Sequence, residues 1–127
     1  MTKLKFAAIS VKNIDESFRF YTEVLKLKEA ERFSPREGIY IAFVQDDDNN
    51  KIELIQNELE KPSFIYDENS VVTLCFSVDN LDETMKSLNE KGITVKKGPR
   101  NSPSSKFIVV EDPNGIEIAL HEDFAAN

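Results

Sequence analysis

"SVKNIDESFRFYTE", residues 10–23, and "SVDNLDETMKSLNE", residues 77–90, are near copies within one chain of 127 residues. Ser10 and Ser77 lie 67 residues apart, and the same spacing pairs Val11 with Val78, Asn13 with Asn80, Asp15 with Asp82, Glu16 with Glu83 and Glu23 with Glu90. Further on the spacing becomes 66: "FVQD" (43–46) matches "VVED" (109–112), and "KIELI" (51–55) matches "EIALH" (117–121). One residue fewer in the second copy accounts for the change. A repeat this long exceeds a solenoid unit and is marginal as an independent domain. It reads as two similar modules, about 1–57 and 71–124, joined by a linker over 58–70 in a single domain, 1–127.

Each copy opens with alternation. "FAAISV" and "TLCFSV" place Ala7, Ile9 and Val11, or Leu74, Phe76 and Val78, on one face of a strand. Asn13 and Asn80 then have the chemistry of helix N-caps, with Glu16 and Glu83 three residues on in a capping-box pattern. Asp15, Glu16, Asp82 and Glu83 suit the positive end of a helix dipole. Phe18, Tyr21 and Leu25 form an apolar helical stripe, as do Leu81, Met85 and Leu88. Gly92 is a natural helix stop, and Lys26 stands at the comparable place as a weaker one.

Strands are expected near 28–33, 39–45, 51–56, 93–97, 106–111 and 116–121. "DDDNN" (46–50) and "DPNG" (112–115) are hairpin turns. "RFSPREG" (32–38), "NELEKPSFIYDENS" (57–70) and "GPRNSPSS" (98–105) read as loops. The order is β-α-β-β-β twice, an α+β fold of two βαβββ modules.

Alternation also divides the faces. Ile52, Leu54, Ile116, Ile118 and Leu120 join the apolar set and must meet the helices. Phe6, Ala8, Ser10, Lys51, Glu53, Ile55, Thr73, Cys75, Ser77, Glu117, Ala119 and His121 share the opposite face. Such a mixture is either an ordinary solvated sheet face or a ligand surface.

Composition narrows the partners. Net charge is −7, with 40% hydrophobic and 31% charged residues. An acidic field opposes phosphate backbones and anionic lipid, so neither nucleic acid nor membrane is an expected partner. The same field favours solubility or cationic ligands. Cys75 is the only cysteine, which excludes an internal disulfide. No apolar stretch approaches the roughly 20 residues of a transmembrane helix, and "MTKLKFAAISVKN" has no signal-peptide pattern. A cytoplasmic protein is expected.

"VKNIDESFRFYTEVLKL", "KIELI", "SVDNLDETMKSL" and "VVEDPNGIEIALHE" resemble the vicinal oxygen chelate superfamily, which includes glyoxalase I, extradiol dioxygenases, methylmalonyl-CoA epimerase, fosfomycin-resistance enzymes and bleomycin-binding proteins. The resemblance covers nearly the whole chain. It implies paired modules whose mixed sheets curl into a cup, and a homodimer.

In metal-dependent relatives, four strand positions supply the ligands. The resemblance places these on Phe6, Glu53, Thr73 and Ala119, where His, Glu, His and Glu are common. Only Glu53 is a good donor, because divalent ions in such sites need several imidazoles or carboxylates. A displaced set of Glu53, His121 and Glu117 is conceivable, although successive same-face residues lie roughly 6.6 Å apart. With one histidine in the chain, no change of register restores a pair of histidines. No metal and no other cofactor is therefore expected.

Several roles stay open on sequence. Glu53 is a polar anchor, a paired carboxylate or a general base. His121 is an acid or base near neutral pH, or a surface histidine. Cys75 is a nucleophile or a small buried hydrophobe. Phe6 is an aromatic wall or fills space left by a ligand residue. Arg32, Arg36, Lys96, Lys97 and Arg100 are candidates to rim a cup and hold an anionic group. "FIY" (64–66) is expected to lie on a cup mouth or a second subunit. The functional expectation is metal-independent binding or sequestration of a small molecule, with Phe6, Thr73, Cys75, Ala119 and His121 around Glu53. The alternative is a glyoxalase-like lyase or isomerase using Glu53 with a displaced metal or another electrophile. A partner-binding scaffold is a third possibility.

Overall fold

A computed structural model describes residues 1–59 and 72–125. Contacts group the chain into two compact units, Met1–Ile65 and Tyr66–Asn127. In the first, β1 (Ala7–Ser10) precedes α1 (Ile14–Arg19), which continues as a π-helical turn (Phe20–Val24). Then come β2 (Lys28–Arg36), β3 (Ile39–Gln45) and β4 (Lys51–Asn57). The sheet runs β1-β4-β3-β2, with β1 parallel to β4 and the remaining pairs antiparallel. The second unit repeats this plan with β5 (Thr73–Ser77), α2 (Leu81–Glu90), β6 (Lys97–Asn101), β7 (Ser105–Glu111) and β8 (Glu117–Asp123), in the order β5-β8-β7-β6. The α+β architecture of two βαβββ modules, each with a four-stranded mixed sheet, is the one expected. The "FIY" segment lies outside the described residues, as does most of the linker.

Alternation decides which face is core. Leu54 stands between Ile9 and Ala42, and Ile52 pairs with Val44; all five are buried. Ile14, Ser17, Phe20 and Tyr21 are buried on the helical segment. In the second module Ile108 pairs with Leu120 and Val110 with Ile118, all nearly inaccessible, and α2 buries Leu81 and Leu88. Each such side chain contributes about 1.5–3 kcal/mol by leaving water. Leu74 and Phe76 are only partly buried, as befits an edge strand.

Each helix start is pinned twice. Asn13 Oδ1 accepts from Glu16 N and Asn80 Oδ1 from Glu83 N, both at 2.9 Å. The next orphan amide is satisfied from the sheet: Ile14 N donates to Gln56 Oε1 at 2.7 Å, and Leu81 N to Glu122 Oε1 at 2.6 Å. Gln56 and Glu122 hold corresponding places, one position beyond the "KIELI" and "EIALH" match. The last strand of each module thus fixes the direction in which its helix leaves.

The change of spacing has a physical location. Leu25 N bonds to Phe20 O at 3.1 Å, an i→i−5 link that places an extra residue within the turn. Lys26 (φ 64°) and Gly92 (φ 74°) are the left-handed stops of the two helices and lie 66 residues apart. The shorter spacing therefore begins at the π turn; β7 and β8 keep it throughout, while β6 departs from it by one residue, Arg100 holding the place of Phe33 across from Phe107 and Ile41.

The hairpins are duplicated too. Asp46 Oδ1 accepts from Asp48 N and Asn50 N, both at 2.9 Å, while Asp112 Oδ1 accepts from Asn114 N and Ile116 N, both at 2.8 Å. These side chains satisfy the turn backbone that the strands cannot reach.

Two segments read as loops are strands. β2 continues through "FSPR" to Arg36, and β6 occupies 97–101, whereas the strand expected over 93–97 is irregular through 96. Both are outer strands of their sheets. An edge tolerates Pro35 or Pro99 because one row of amides has no ladder partner to lose.

Candidate functional site

In the first module, register places Ala8, Glu53, Phe43 and Glu31 in one row across the four strands. These residues occupy the face opposite the helix. Phe6, one residue before β1, meets Phe43 edge-to-face with ring centroids 5.2 Å apart. Glu53 is partly buried and makes no hydrogen bond or ion pair among the described residues. The next row holds Ser10, Ile55, Ile41 and Phe33, whose ring is 40% exposed. The result is a carboxylate with no cationic partner among the described residues, beside aromatic rings and isoleucines.

In the second module the corresponding face has other chemistry. Ser77, His121, Phe107 and Arg100 form a row across β5, β8, β7 and β6. The His121 and Phe107 rings stack, with centroids 4.8 Å apart. His121 Nδ1 lies 2.7 Å from the Ser105 hydroxyl, which lies 2.8 Å from that of Ser102. His121, Cys75, Phe76, Ser77, Ser102, Ser104, Ser105 and Asp123 line an open depression of about 360 Å³. Cys75 is exposed, so the buried-hydrophobe reading is corrected: its strand is at the sheet edge. Ala119, by contrast, is 4% exposed between Val109 and Cys75 in the ladder and presents only a methyl group. Thr73 begins the exposed edge strand β5.

The cationic loop candidates separate. Arg32 pairs with Asp15 and lies over the Phe18 ring, 5.1 Å from its centroid, so it braces the helix. Lys96 is 2.7 Å from Glu111 Oε1, and this hydrogen-bonded carboxylate holds its ammonium above the usual lysine range. Lys96 and Lys97 lie 3.4 and 3.5 Å from Glu117 Oε2, close enough for charge pairing although that atom has no hydrogen-bond partner among the described residues. Arg36 and Arg100 stand on the sheet face, in register with Ile39 and Phe107.

The positions implied for a divalent metal do not fit one. Phe6 offers a ring already engaged with Phe43, and Ala119 offers no donor. Thr73 is a weak neutral donor, leaving Glu53 as the sole carboxylate. The displaced alternative fares no better, because Glu117 faces two lysines. Among the described residues, no three or more His, Cys, Asp or Glu side chains come together to hold a metal.

The model of the Glyoxalase/Bleomycin resistance protein/Dioxygenase superfamily matches residues 3–120. The chain belongs to this superfamily. Its fold is similar to that of a glyoxalase family protein from Bacillus cereus, with a TM-score of 0.81, 19% identity and coverage of 98% of this chain and 96% of that one. It is also similar to an antibiotic binding protein from a Streptomyces species, with a TM-score of 0.73, 20% identity and coverage of 98% and 99%. A fosfomycin resistance protein from Listeria monocytogenes gives 0.75, 16% identity and coverage of 98% and 93%. No curated protein matches the chain. At these identities the neighbours establish the superfamily fold, and chemistry must come from the residues. No helix among the described residues is long and apolar enough to cross a membrane.

Alternation and the strand registers place Glu53, Cys75 and His121 alike, while Phe6, expected on the first strand, stands one residue ahead of β1. Sequence reasoning missed Phe43, Phe107, Ser102 and Ser105. Phe43 and Phe107 become visible only through cross-strand register, because each adjoins its partner across β3–β4 or β7–β8. The serines were hidden inside a stretch whose composition resembles a loop.

Proposed function

We propose that this superfamily member is a small-molecule binding or sequestering protein that works without a bound metal, with Glu53 as the anionic anchor of its guest. The observation that carries this reading is a carboxylate with no ion pair among the described residues, in the same row as Phe43, with Phe6 against that ring. A partly buried carboxylate without a compensating charge gains most from a cationic guest, and neighbouring rings add cation–π attraction of about 0.5–2 kcal/mol. The chain's charge of −7 draws such guests toward it. The antibiotic binding protein among the fold neighbours supports binding as the mode of action. The reading includes a homodimer in the cytoplasm, whose dimeric state sedimentation equilibrium would test.

Thermal-shift screening of cationic aromatic compounds, with and without chelator, is the test. A hit should raise the melting temperature equally in both conditions. Glu53→Gln should weaken that hit about tenfold or more. Stabilisation that disappears with chelator, or an unchanged affinity in Glu53→Gln, would defeat the proposal.

A further inference from the structure

We propose that the second module carries its own subsite for an ammonium or amidinium group, built on His121 and Asp123 and independent of Glu53. The hydrogen-bond pattern determines what His121 presents. Ser102 Oγ donates to Ser105 O at 3.1 Å and accepts from Ser105 N at 3.0 Å. A hydroxyl has one proton, so toward the Ser105 hydroxyl, 2.8 Å away, Ser102 accepts. Ser105 thereby spends its proton on Ser102 and must accept from His121 Nδ1. The network that makes the most hydrogen bonds assigns the proton of neutral His121 to Nδ1, leaving Nε2 with its lone pair. Ser105 is 3% exposed and the ring is stacked on Phe107, so the relay fixes orientation as well as tautomer.

The surroundings are rich in acceptors. The described lining of the depression contains the Asp123 carboxylate, the Ser77 and Ser104 hydroxyls and the Cys75 thiol, with no lysine or arginine. Asp123 makes no ion pair or side-chain hydrogen bond among the described residues. Arg100 registers with Phe107 on the outer strand, with β7 between it and His121. A carboxylate and a fixed imidazole lone pair with no cation attached among the described residues match a group that brings positive charge and several N–H donors. The arrangement is also a departure from the internal repeat: Ile39, Ile41 and Ile55 hold the places of Ser105, Phe107 and His121 in the first module.

Titration of the full chain with benzamidinium, followed by amide NMR, tests this. The Ser77, Ser104, His121 and Asp123 signals should shift to saturation, and Asp123→Asn and His121→Phe should each weaken the titration at least tenfold. Benzoate, of similar shape and opposite charge, should leave those signals in place. His121 is the only histidine, so long-range ¹⁵N spectra report its tautomer unambiguously and should show the proton on Nδ1. Ser105→Ala should move part of that proton to Nε2 and weaken benzamidinium several-fold, although Ser105 acts only by positioning. Ser102→Ala, one step back along the relay, should do the same to a lesser degree and guards against misfolding of the buried variant. Absence of benzamidinium binding at these signals, equal binding of benzoate, an Nε2–H tautomer in the unaltered chain, or full affinity in Asp123→Asn would each overturn the assignment.

Discussion

Laid over one another through the repeat, the two modules agree wherever the backbone needs help and disagree on the sheet faces turned away from the helices. Asn13 and Asn80 cap the helices, Gln56 and Glu122 tie those helices to the last strands, and Asp46 and Asp112 close the hairpins. On the sheet faces opposite the helices, Glu53 and Phe43 stand where the second module has Ala119 and Val109, and His121 and Phe107 stand where the first has Ile55 and Ile41. The row that combines an ionisable side chain with an aromatic ring has therefore moved by one between modules. Backbone satisfaction limits variation, because an unpaired buried amide costs about 1–3 kcal/mol. A sheet face carries no such obligation and is free to diverge.

Core substitutions test the shared scaffold most strongly. Leu54 and Leu120 are equivalent and almost completely buried. Truncation of either to Ala should cost about 2–5 kcal/mol in denaturant unfolding. A loss below about 1 kcal/mol at one position would break the equivalence.

The helix ties come next and should not be equal. Glu122 brings a carboxylate to the positive end of α2, whereas Gln56 brings a neutral amide to α1. Glu122→Ala should cost up to about 2–3 kcal/mol and Gln56→Ala about 1 kcal/mol, since charge-assisted hydrogen bonds are stronger. The reverse order would mean that charge at the helix terminus is not what distinguishes the modules.

The helix stops invite a smaller exchange. Lys26 holds a φ of 64°, which disfavours a side chain, while Gly92 holds 74° at no such cost. Lys26→Gly should stabilise the protein by about 0.5–1 kcal/mol, and Gly92→Ala should destabilise it by about 1 kcal/mol. Equal and opposite changes would sharpen the equivalence of the two stops.

The smallest effect concerns acid. Hydrogen bonds, led by the Asn50 side chain, hold the Asp46 carboxyl below the usual aspartate range. Its folded-state pKa is depressed, so its stabilisation is fully present above the unfolded value of about 3.9 and is lost as pH falls through the lower folded value. The stability gap between the parent and Asp46→Asn should narrow only below about pH 4. A gap unchanged from pH 6 to pH 2 would detach the turn's stability from this charge.

Much of this scaffold was legible because caps, alternation and turns act through neighbours in sequence. Asn13, Asn80, "DPNG" and the apolar rows disclosed themselves in that way. What stayed hidden depends on neighbours across strands or at edges. "FSPR" and "GPRN" look like loops because proline ordinarily spoils a ladder, yet β2 and β6 are outer strands that need only one. Glu53 and His121 could be placed on a face from alternation, but the Phe43 ring and the Ser102–Ser105 relay beside them follow from register. Arg32 showed the same limit in reverse: its loop-like setting suggested a ligand contact, and the structure gives it to Asp15 and Phe18.

The π turn at Phe20–Val24 bears on how such a chain can change length. A residue gained inside an α-helix would ordinarily rotate everything beyond it by about 100°. Here one wider coil takes up the surplus before Lys26, and the last hairpin of each module, β3–β4 and β7–β8, remains aligned with its counterpart. The segment behaves as an expansion joint: it offers protein engineers a place to add or remove one residue while leaving strand pairing, and the surfaces those strands display, untouched.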